Sequence, residues 1–275
     1  MNVTGRYDCR LRGQGMLLAI DIGNTNIVFG GFEGRKALFT ERISTDSQKT
    51  SLEYAILFKT ALDLHGISPA AIEGAIIGSV VPPLTYVVKT ALRKICGLDA
   101  LVVGPGLKTG LNIRMDDPAT IGADLIAGAV GALQKYQPPL VVIDMGTATT
   151  ICVVDQNRSY IGGIIMTGLR LSLNALVSQA SQLSGISLEV PRHVIGKNTA
   201  DAMRSGLLYG NAAMLDGLID RVEEELNTHV TVIATGGLAK SVTGECRHEI
   251  SLEKNLVMDG LISIYLKNSH TAART

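Results

Sequence analysis

Tryptophan is missing from the 275-residue chain, which has only four Phe and seven Tyr. Proteins that bind single-stranded nucleic acid combine aromatic stacking with excess positive charge. This chain offers neither, because 25 Lys and Arg balance 25 Asp and Glu. A nucleic-acid partner and an anionic membrane surface are therefore not expected. No apolar run reaches the roughly 20 residues that cross a bilayer, so no membrane association is predicted.

Cysteine and histidine are scarce and show no metal or disulfide pattern. The four cysteines are widely spaced without a CxxC pair, and the five histidines are scattered. A chain of this length can fold without disulfides, so we expect a reduced, cytoplasmic protein. Thirty glycines without a repeat period indicate tight turns and close backbone approaches rather than low complexity.

The two ends of the chain differ from the rest. Residues 1–15 lack the apolar centre of a signal peptide, and we interpret them as a disordered extension. Residues 269–275 are interpreted as a frayed tail. Between them, the break QPP separates an N-terminal half, residues 16–136, from a C-terminal half, residues 137–268.

Hydrophobic patterning predicts an α/β fold. Strands are expected over residues 16–22, 26–32 and 36–43 and in GAIIGSVVP and ALVVG, and helices over residues 51–65 and from Pro82 to Ile95. Asp117 and Pro118 provide an N-cap and a first-turn proline, which predict that the next helix starts there and runs to about Tyr136.

The second half opens with a copy of the first. Residues 140–159, LVVIDMGTATTICVVDQNRS, align without gaps on residues 17–36. The residues that meet include Asp21 and Asp144, Gly23 and Gly146, and Arg35 and Arg158. Identities are few, but each copy reads as a strand, a D-x-G turn and a second strand, which indicates a duplicated unit.

A hairpin whose tip carries an aspartate, a glycine and Thr or Asn is suited to nucleotide phosphates. Glycine lets the backbone approach a ligand, while amides and small polar side chains bind phosphate oxygens. A carboxylate beside phosphates needs a cation between them, so Asp21 and Asp144 are candidate cation ligands. Ordinary Asx-type turns are the alternative. Two such tips facing each other across a pseudo-twofold axis favour a nucleotide cleft.

In these motifs the chain resembles the actin-like ATPase and sugar-kinase superfamily, and within it the type III pantothenate kinase family. The resemblance runs from Met16 to about Asn268 through DIGNTN, SVVPPLT, KTGLNI, DDPATIGAD, DMGTATT, IGGIIMTG, GKNTADAMRSGLLYG, ATGGLA and LVMDGLISIY. It implies two RNase H-like halves with a nucleotide cleft between them, and a homodimer. It also implies ATP-dependent phosphorylation of a small molecule, pantothenate, in the first step of coenzyme A biosynthesis.

The resemblance also assigns roles to residues. Asp124 matches the general base, Asp144 a ligand of a monovalent cation (K⁺ or NH₄⁺), and Asp21 a Mg²⁺ contact, direct or through water. The ATP-binding positions are Asp21, Ile22, Gly23, Asn24, Thr25, Asn26, Ile27, Val28, Thr147, Gly236 and Gly237. The substrate-binding positions are Met115, Gly122, Ala123, Asp124, Leu125 and Thr199. Thr199 is assigned to the partner subunit's substrate site, and its local sequence also predicts a helix N-cap.

Three positions depart from the family pattern. Leu125 stands where the family commonly has Arg, Met115 where it has Tyr, and Thr167 where it has Pro. Losing a charge-assisted contact to the acid group of pantothenate costs about 1.5–3 kcal/mol. Three interpretations stay open: a pantothenate kinase, a kinase of a related small hydroxyl substrate, and a catalytically weak nucleotide-binding regulatory paralogue.

Overall fold

The computed structural model describes residues 15–179 and 185–272. The predicted N-terminal extension, apart from residue 15, and the last three residues of the predicted tail lie outside the described residues. The described chain divides into two compact units. Unit 1 comprises residues 15–110, 119–131 and 257–272, and unit 2 comprises residues 111–118 and 132–256 without the gap. In the described part, none of the helices combines the length and apolarity that a membrane span requires.

The described residues form eleven strands and seven helices. The strands are β1 (Met16–Ile22), β2 (Asn26–Glu33), β3 (Lys36–Ser44), β4 (Ile72–Ser79), β5 (Leu101–Val102), β6 (Asn112–Ile113), β7 (Leu140–Met145), β8 (Ala148–Val154), β9 (Ser159–Thr167), β10 (Thr231–Thr235) and β11 (Ile250–Leu252). The helices are α1 (Ser51–Leu64), α2 (Pro82–Cys96), α3 (Ala123–Lys135), α4 (Leu169–Gln179), α5 (Thr199–Leu226), α6 (Ala239–Thr243) and α7 (Leu256–Ala272). The predicted α/β class is confirmed.

The two sheets share one strand topology. Unit 1 has the order β3-β2-β1-β4-β5, and unit 2 has β9-β8-β7-β10-β11 with β6 added beside β9. In each sheet the first three strands form an antiparallel meander, the fourth pairs parallel to the first, and the fifth pairs parallel to the fourth. The duplication indicated by the two D-x-G hairpins therefore extends through the whole sheet.

The gapless alignment of the two copies holds only up to the hairpin tip. In the first hairpin Ile22 pairs with Ile27, which leaves a four-residue loop. In the second, Met145 pairs with Thr149, which leaves three residues. The turns between the second and third strands differ too: the residue with a left-handed backbone is Gly34 in the first copy and Arg158 in the second. The match of Arg35 with Arg158 is therefore not a structural equivalence.

Both faces of the central strands are covered, which explains their continuous apolar sequence. In β1, Leu18, Ile20 and Ile22 belong to the core formed with α1 and α2. Side chains alternate between faces, so Asp21 lies on the opposite face. In β7, Val141, Ile143 and Met145 likewise belong to the core formed with α5, and Asp144 lies on the other face. Each aspartate stands near the carboxyl end of its strand, where the burial becomes partial.

The predicted start of the third helix was wrong by five residues. Asp117 and Pro118 precede only a single 3-10 turn, Pro118–Thr120. Helix α3 begins at Ala123, and its first turn is closed by the Ile126 amide donating to the Gly122 carbonyl at 3.2 Å. Asp117 and Pro118 therefore belong to the loop before the helix, and the helix itself starts at the GAD motif.

The division of the chain differs from the boundary predicted at residue 136 in three segments, the first being residues 132–136, which group with unit 2. Helix α7 groups with unit 1, because Gly260 brings its backbone against α3: a Cβ at this position would lie 1.8 Å from the Ala127 carbonyl oxygen. Asn268 adds two hydrogen bonds to the backbone of Lys108. Residues 111–118 group with unit 2, because β6 pairs with the start of β9.

Candidate active site

The first D-x-G loop, residues 21–28, is held in a fixed conformation within unit 1. The Gly23 amide donates to the Asn26 carbonyl at 3.0 Å and closes the turn. The Thr45 hydroxyl donates to the Gly23 carbonyl at 2.6 Å, and the Thr45 amide donates to the Thr25 carbonyl at 3.0 Å. The side chain of Thr25 is exposed at the tip. Sequence reasoning missed Thr45, since a lone Thr after a strand carries no signal.

The start of α3 lies at the same end of the unit 1 sheet as this loop. Asp21 pairs with Gly78 of β4, and a Cβ at Gly78 would lie 3.9 Å from the Ala123 Cβ. The Val80 amide donates to the Ile22 carbonyl at 3.0 Å, and a Cβ at Gly122 would lie 3.3 Å from Val80 Cγ1. The structure therefore brings the predicted ATP loop, Asp21–Val28, and the predicted substrate residues, Gly122–Leu125, to one end of one sheet.

Asp124 combines partial burial with little hydrogen-bonding support. Its Oδ1 accepts a hydrogen bond from the Leu125 amide at 2.8 Å. Burial raises the pKa of Asp124 above its usual value, and backbone hydrogen bonds oppose this shift without cancelling it. A carboxylate with a raised pKa is a stronger base toward an alcohol proton. Gly122 leaves the room for this carboxylate, because a Cβ there would lie 2.3 Å from Oδ1.

The second D-x-G loop, in unit 2, is surrounded by close backbone approaches. The Gly146 amide donates to the Ala148 carbonyl at 3.0 Å. A Cβ at Gly168, after β9, would lie 2.2 Å from the Thr147 carbonyl oxygen. Gly236, after β10, has φ +102°, and a Cβ there would lie 2.5 Å from the Met145 carbonyl oxygen. The structure therefore places Asp144, Thr147 and the Gly236–Gly237 turn together at the carboxyl end of β7.

Asp21, in unit 1, and Asp144, in unit 2, are each the single carboxylate that a cation would contact there. The described residues contain no group of three His, Cys, Asp or Glu side chains placed to hold a metal. Asp21 and Asp144 each stand half-buried at the end of a strand. A cation beside either residue would take most of its ligands from phosphate oxygens and water, as Mg²⁺ does in phosphate sites.

Met115 and Thr199 belong to unit 2 but lie outside the Asp144 loop. Met115 follows β6, whose Ile113 pairs with Tyr160 near the start of β9. Thr147 of the Asp144 loop instead contacts Gly168, which follows the end of β9. Thr199 is exposed at the first position of α5.

The predicted N-cap role of Thr199 is wrong. The N-cap is Asn198, whose side chain accepts from the Asp201 amide at 2.8 Å. The same segment lines a cavity of about 310 Å³ to which Arg192, His193, Lys197 and Arg204 contribute.

Solved structures that are similar to this chain show the fold. A Baf family protein from Campylobacter jejuni has a TM-score of 0.60 at 18% identity and covers 92% of this chain and 99% of its own. Component A of (R)-2-hydroxyglutaryl-CoA dehydratase from Acidaminococcus fermentans has a TM-score of 0.57 at 15% identity, with 94% and 100% covered. The activator of 2-hydroxyisocaproyl-CoA dehydratase from Clostridium difficile, with bound ADPNP, has a TM-score of 0.54 at 12% identity, with 94% and 97% covered. The predicted actin-like ATPase fold is confirmed.

Sequence comparison identifies the family. A type III pantothenate kinase from Exiguobacterium sp. (strain ATCC BAA-1283 / AT1b) is 43% identical over 253 residues, which are 92% of this chain and 99% of the relative. A type III pantothenate kinase from Bacillus cytotoxicus is 41% identical over 254 residues, 92% and 97% respectively. The family model of type III pantothenate kinase matches residues 17–221. The chain belongs to the type III pantothenate kinase family.

Proposed function

We propose that this protein transfers the γ-phosphoryl group of ATP to the primary hydroxyl of pantothenate. The product is 4′-phosphopantothenate, and the reaction is the first step of coenzyme A biosynthesis. The single observation that carries the proposal is the position of Asp124. Its half-buried carboxylate, with a raised pKa, stands at the sheet end that also holds the Asp21 loop. A merely regulatory nucleotide-binding protein has no need of such a base.

Asp124 acts as the general base of the reaction. Its ionised carboxylate accepts the proton of the substrate hydroxyl as that oxygen bonds to the γ-phosphorus. The bond between this phosphorus and the β–γ bridging oxygen breaks, and ADP leaves with the electron pair. Phosphoryl transfer depends mainly on position and charge, because little covalent work falls to the protein. General base catalysis of this kind contributes about 10²–10⁴-fold.

The two D-x-G loops bind the nucleotide phosphates. Residues Asp21–Val28 and Thr147 supply amides and small polar groups at the ends of β1 and β7. The Gly236–Gly237 turn after β10 is assigned to the adenosine end of the nucleotide. A kinase of this family uses ATP with a divalent cation. We assign Mg²⁺ to Asp21, direct or through water, and a monovalent cation, K⁺ or NH₄⁺, to Asp144. These cations neutralise phosphate charge and allow carboxylates to stand beside it.

The protein acts as a homodimer in the cytoplasm. Ala202, Gly206, Gly210 and Met214 form an exposed stripe on α5 at four-residue spacing. A Cβ at Gly206 or Gly210 would meet no described atom within 4 Å, so a partner helix has room to approach. A dimer interface is thus the role that we assign to this stripe. Among the described residues, Cys96, Cys152 and Cys246 form no disulfide, as expected in a reducing compartment.

Recognition of the acid group in pantothenate falls to residues other than Leu125. Met115, Gly122, Ala123 and Thr199 remain the assigned substrate contacts. Arg192, Lys197 and Arg204 line the cavity in the segment that carries Thr199. Glu189 and Asp201 line it too, so the cavity keeps one net positive charge for a carboxylate. A related hydroxy acid is the alternative substrate, because Leu125 and Met115 depart from the family pattern.

ADP release tests the proposal. Purified protein with ATP, Mg²⁺ and K⁺ is assayed with pantothenate and with a panel of small hydroxy acids and amides. We expect ADP release that depends on pantothenate and falls when K⁺ is replaced by Na⁺. ADP release with another acceptor but not with pantothenate would assign the alternative kinase. Nucleotide binding without release for any acceptor would favour a regulatory protein. Sedimentation at twice the 29.1 kDa chain mass tests the dimer.

A further inference from the structure

A pair of hydroxyl groups joins the carboxyl end of β4 to the first turn of α2. The Thr85 hydroxyl donates to Ser79 Oγ at 2.8 Å, and the Val81 amide donates to the same oxygen at 3.1 Å. The Val81 carbonyl oxygen lies 3.3 Å from Ser79 Oγ and 3.4 Å from Thr85 Oγ1. Both side chains are half-buried. They belong to the SVVPPLT motif, to which the proposed function assigns no role.

The start of α2 does not depend on these hydroxyls. Side chains at a helix start usually accept hydrogen bonds from its first amides. In α2 the first two residues are Pro82 and Pro83, which have no amide hydrogen, and the Leu84 amide donates to the Val81 carbonyl at 3.0 Å. Within the described chain, no side chain caps this helix. The hydroxyls instead fix both the amide and the carbonyl of Val81, and so set the direction in which Val80 leaves the strand.

Val80 joins the two parts of the site in unit 1. Its amide donates to the carbonyl of Ile22, the residue after Asp21, at 3.0 Å. A Cβ at Gly122 would lie 3.3 Å from Val80 Cγ1 and 2.3 Å from Asp124 Oδ1. Val80 Cγ1 and this carboxylate oxygen therefore lie at most 5.6 Å apart, the sum of the two distances. Since Gly122 has no side chain, Val80 bounds the space that the Asp124 carboxylate can enter.

We propose that Ser79 and Thr85 are positioning residues for the catalytic base Asp124. They fix Val80 through Val81, and Val80 limits the movement of the carboxylate. The inference rests on the proposed function, in which Asp124 is the general base, and its contacts lie entirely within unit 1. A misplacement of about 1 Å can cost about 100-fold in rate, so a contact at this distance affects turnover. Neither hydroxyl takes part in proton transfer.

Steady-state kinetics of Thr85→Val, Thr85→Ser and Ser79→Ala test the inference. Thr85→Val keeps the shape of the side chain and removes its hydroxyl, whereas Thr85→Ser keeps the hydroxyl. One hydrogen bond corresponds to about a fivefold change. We expect kcat to fall about fivefold in Thr85→Val and more than tenfold in Ser79→Ala, which loses the acceptor of two hydrogen bonds. Thr85→Ser should keep the wild-type kcat. The KM for ATP should change less than twofold, because Thr45 holds the ATP loop.

Coupling to Asp124 distinguishes positioning from a general loss of structure. Asp124→Asn removes the base, so Thr85→Val should lower the remaining turnover less than twofold in that background. Mass spectrometry measures the product of these slow variants. Val80→Ala removes Cγ1 and leaves both hydroxyls. It should lower kcat without changing the KM for ATP, which keeps the test independent of the folding of Thr85→Val.

Thr90→Val is the matched control. Thr90 is half-buried on the same helix, and its hydroxyl has no hydrogen-bond partner in the part of the chain that the structure describes. This variant should keep the wild-type kcat, with every variant assayed where circular dichroism shows it folded.

Three results would overturn the inference and leave the proposed function standing. They are an unchanged kcat in Thr85→Val, a loss that Thr85→Ser shares, and a full fivefold loss from Thr85→Val in the Asp124→Asn background. An equal loss in Thr90→Val would overturn it as well. A wild-type protein without pantothenate-dependent ADP release would overturn the proposed function and the inference together.

Discussion

Replacing Gly122 by alanine tests the position of the catalytic carboxylate without touching it. A Cβ at Gly122 would lie 2.3 Å from Asp124 Oδ1, and separations under 3.0 Å are essentially never seen for a real Cβ. The oxygen must therefore move by at least 0.7 Å, the difference between the two distances. A displacement of about 1 Å can cost about 100-fold in rate. We expect kcat to fall about 100-fold in Gly122→Ala.

Folding should not suffer from this change. Gly122 is not among the residues with a left-handed backbone, so alanine is compatible with its conformation. The melting temperature should stay the same or rise slightly. Gly104→Ala is the control, since a Cβ there would meet nothing within 4 Å.

A double variant decides between displacement and a separate effect. Steady-state assays compare Gly122→Ala, Asp124→Asn and the two together. If Gly122→Ala acts by displacing Asp124, it should cost little more once Asp124 is Asn. A normal kcat in Gly122→Ala, or a full additional 100-fold loss in the double variant, would refute the reasoning.

Three further predictions concern residues around the two loops. Asp124→Asn should lose turnover yet raise the melting temperature at pH 8, because burial raises the pKa of Asp124 and disfavours its charged form. This gain in melting temperature should shrink as the pH falls and the wild-type carboxyl becomes protonated. Thermal melts at pH 8 that show no gain would contradict the prediction. Thr45→Val should raise the KM for ATP about fivefold, because the hydrogen bond to the Gly23 carbonyl contributes about 1 kcal/mol. Thr45→Ser keeps the hydroxyl and should keep the wild-type KM. An unaltered KM in Thr45→Val would show that Thr45 does not position the loop. Asp216→Ala should lower the free energy of unfolding by about 2–4 kcal/mol in urea titrations, because its buried carboxylate accepts amide hydrogen bonds from Arg247 and His248. A loss below about 1 kcal/mol would show that water replaces these hydrogen bonds.

Local signals predicted the elements that are determined by local chemistry. Helix α1 matched its prediction to within one residue, because its apolar residues recur at helical spacing. In the structure Thr50 and Glu53 form a capping box at its start. Strand β1 was also correct, because an apolar run bounded by turn residues suits a strand buried on both faces. The cap signal at Asp117 and Pro118 misled, because it is satisfied by a single 3-10 turn that breaks before Gly122.

Long-range packing was beyond the reach of such signals. A glycine in an apolar helix, such as Gly260, does not reveal which backbone it lets approach, so the grouping of α7 with unit 1 was not predicted. Gly168 and Thr45 support the two loops from distant parts of the chain for the same reason. The site residues themselves were named from the resemblance, and their roles stay predictions.

The most direct test of the central claim identifies the product formed by two proteins side by side. Wild-type protein and Asp124→Asn are incubated with ATP, Mg²⁺, K⁺ and pantothenate, and the acceptor is analysed by mass spectrometry. We predict 4′-phosphopantothenate from the wild type and at least 100-fold less from Asp124→Asn, with ATP binding intact in both. Equal product from the two proteins would contradict the role of Asp124. No phosphorylated pantothenate from a wild-type protein that binds ATP would contradict the proposed function itself.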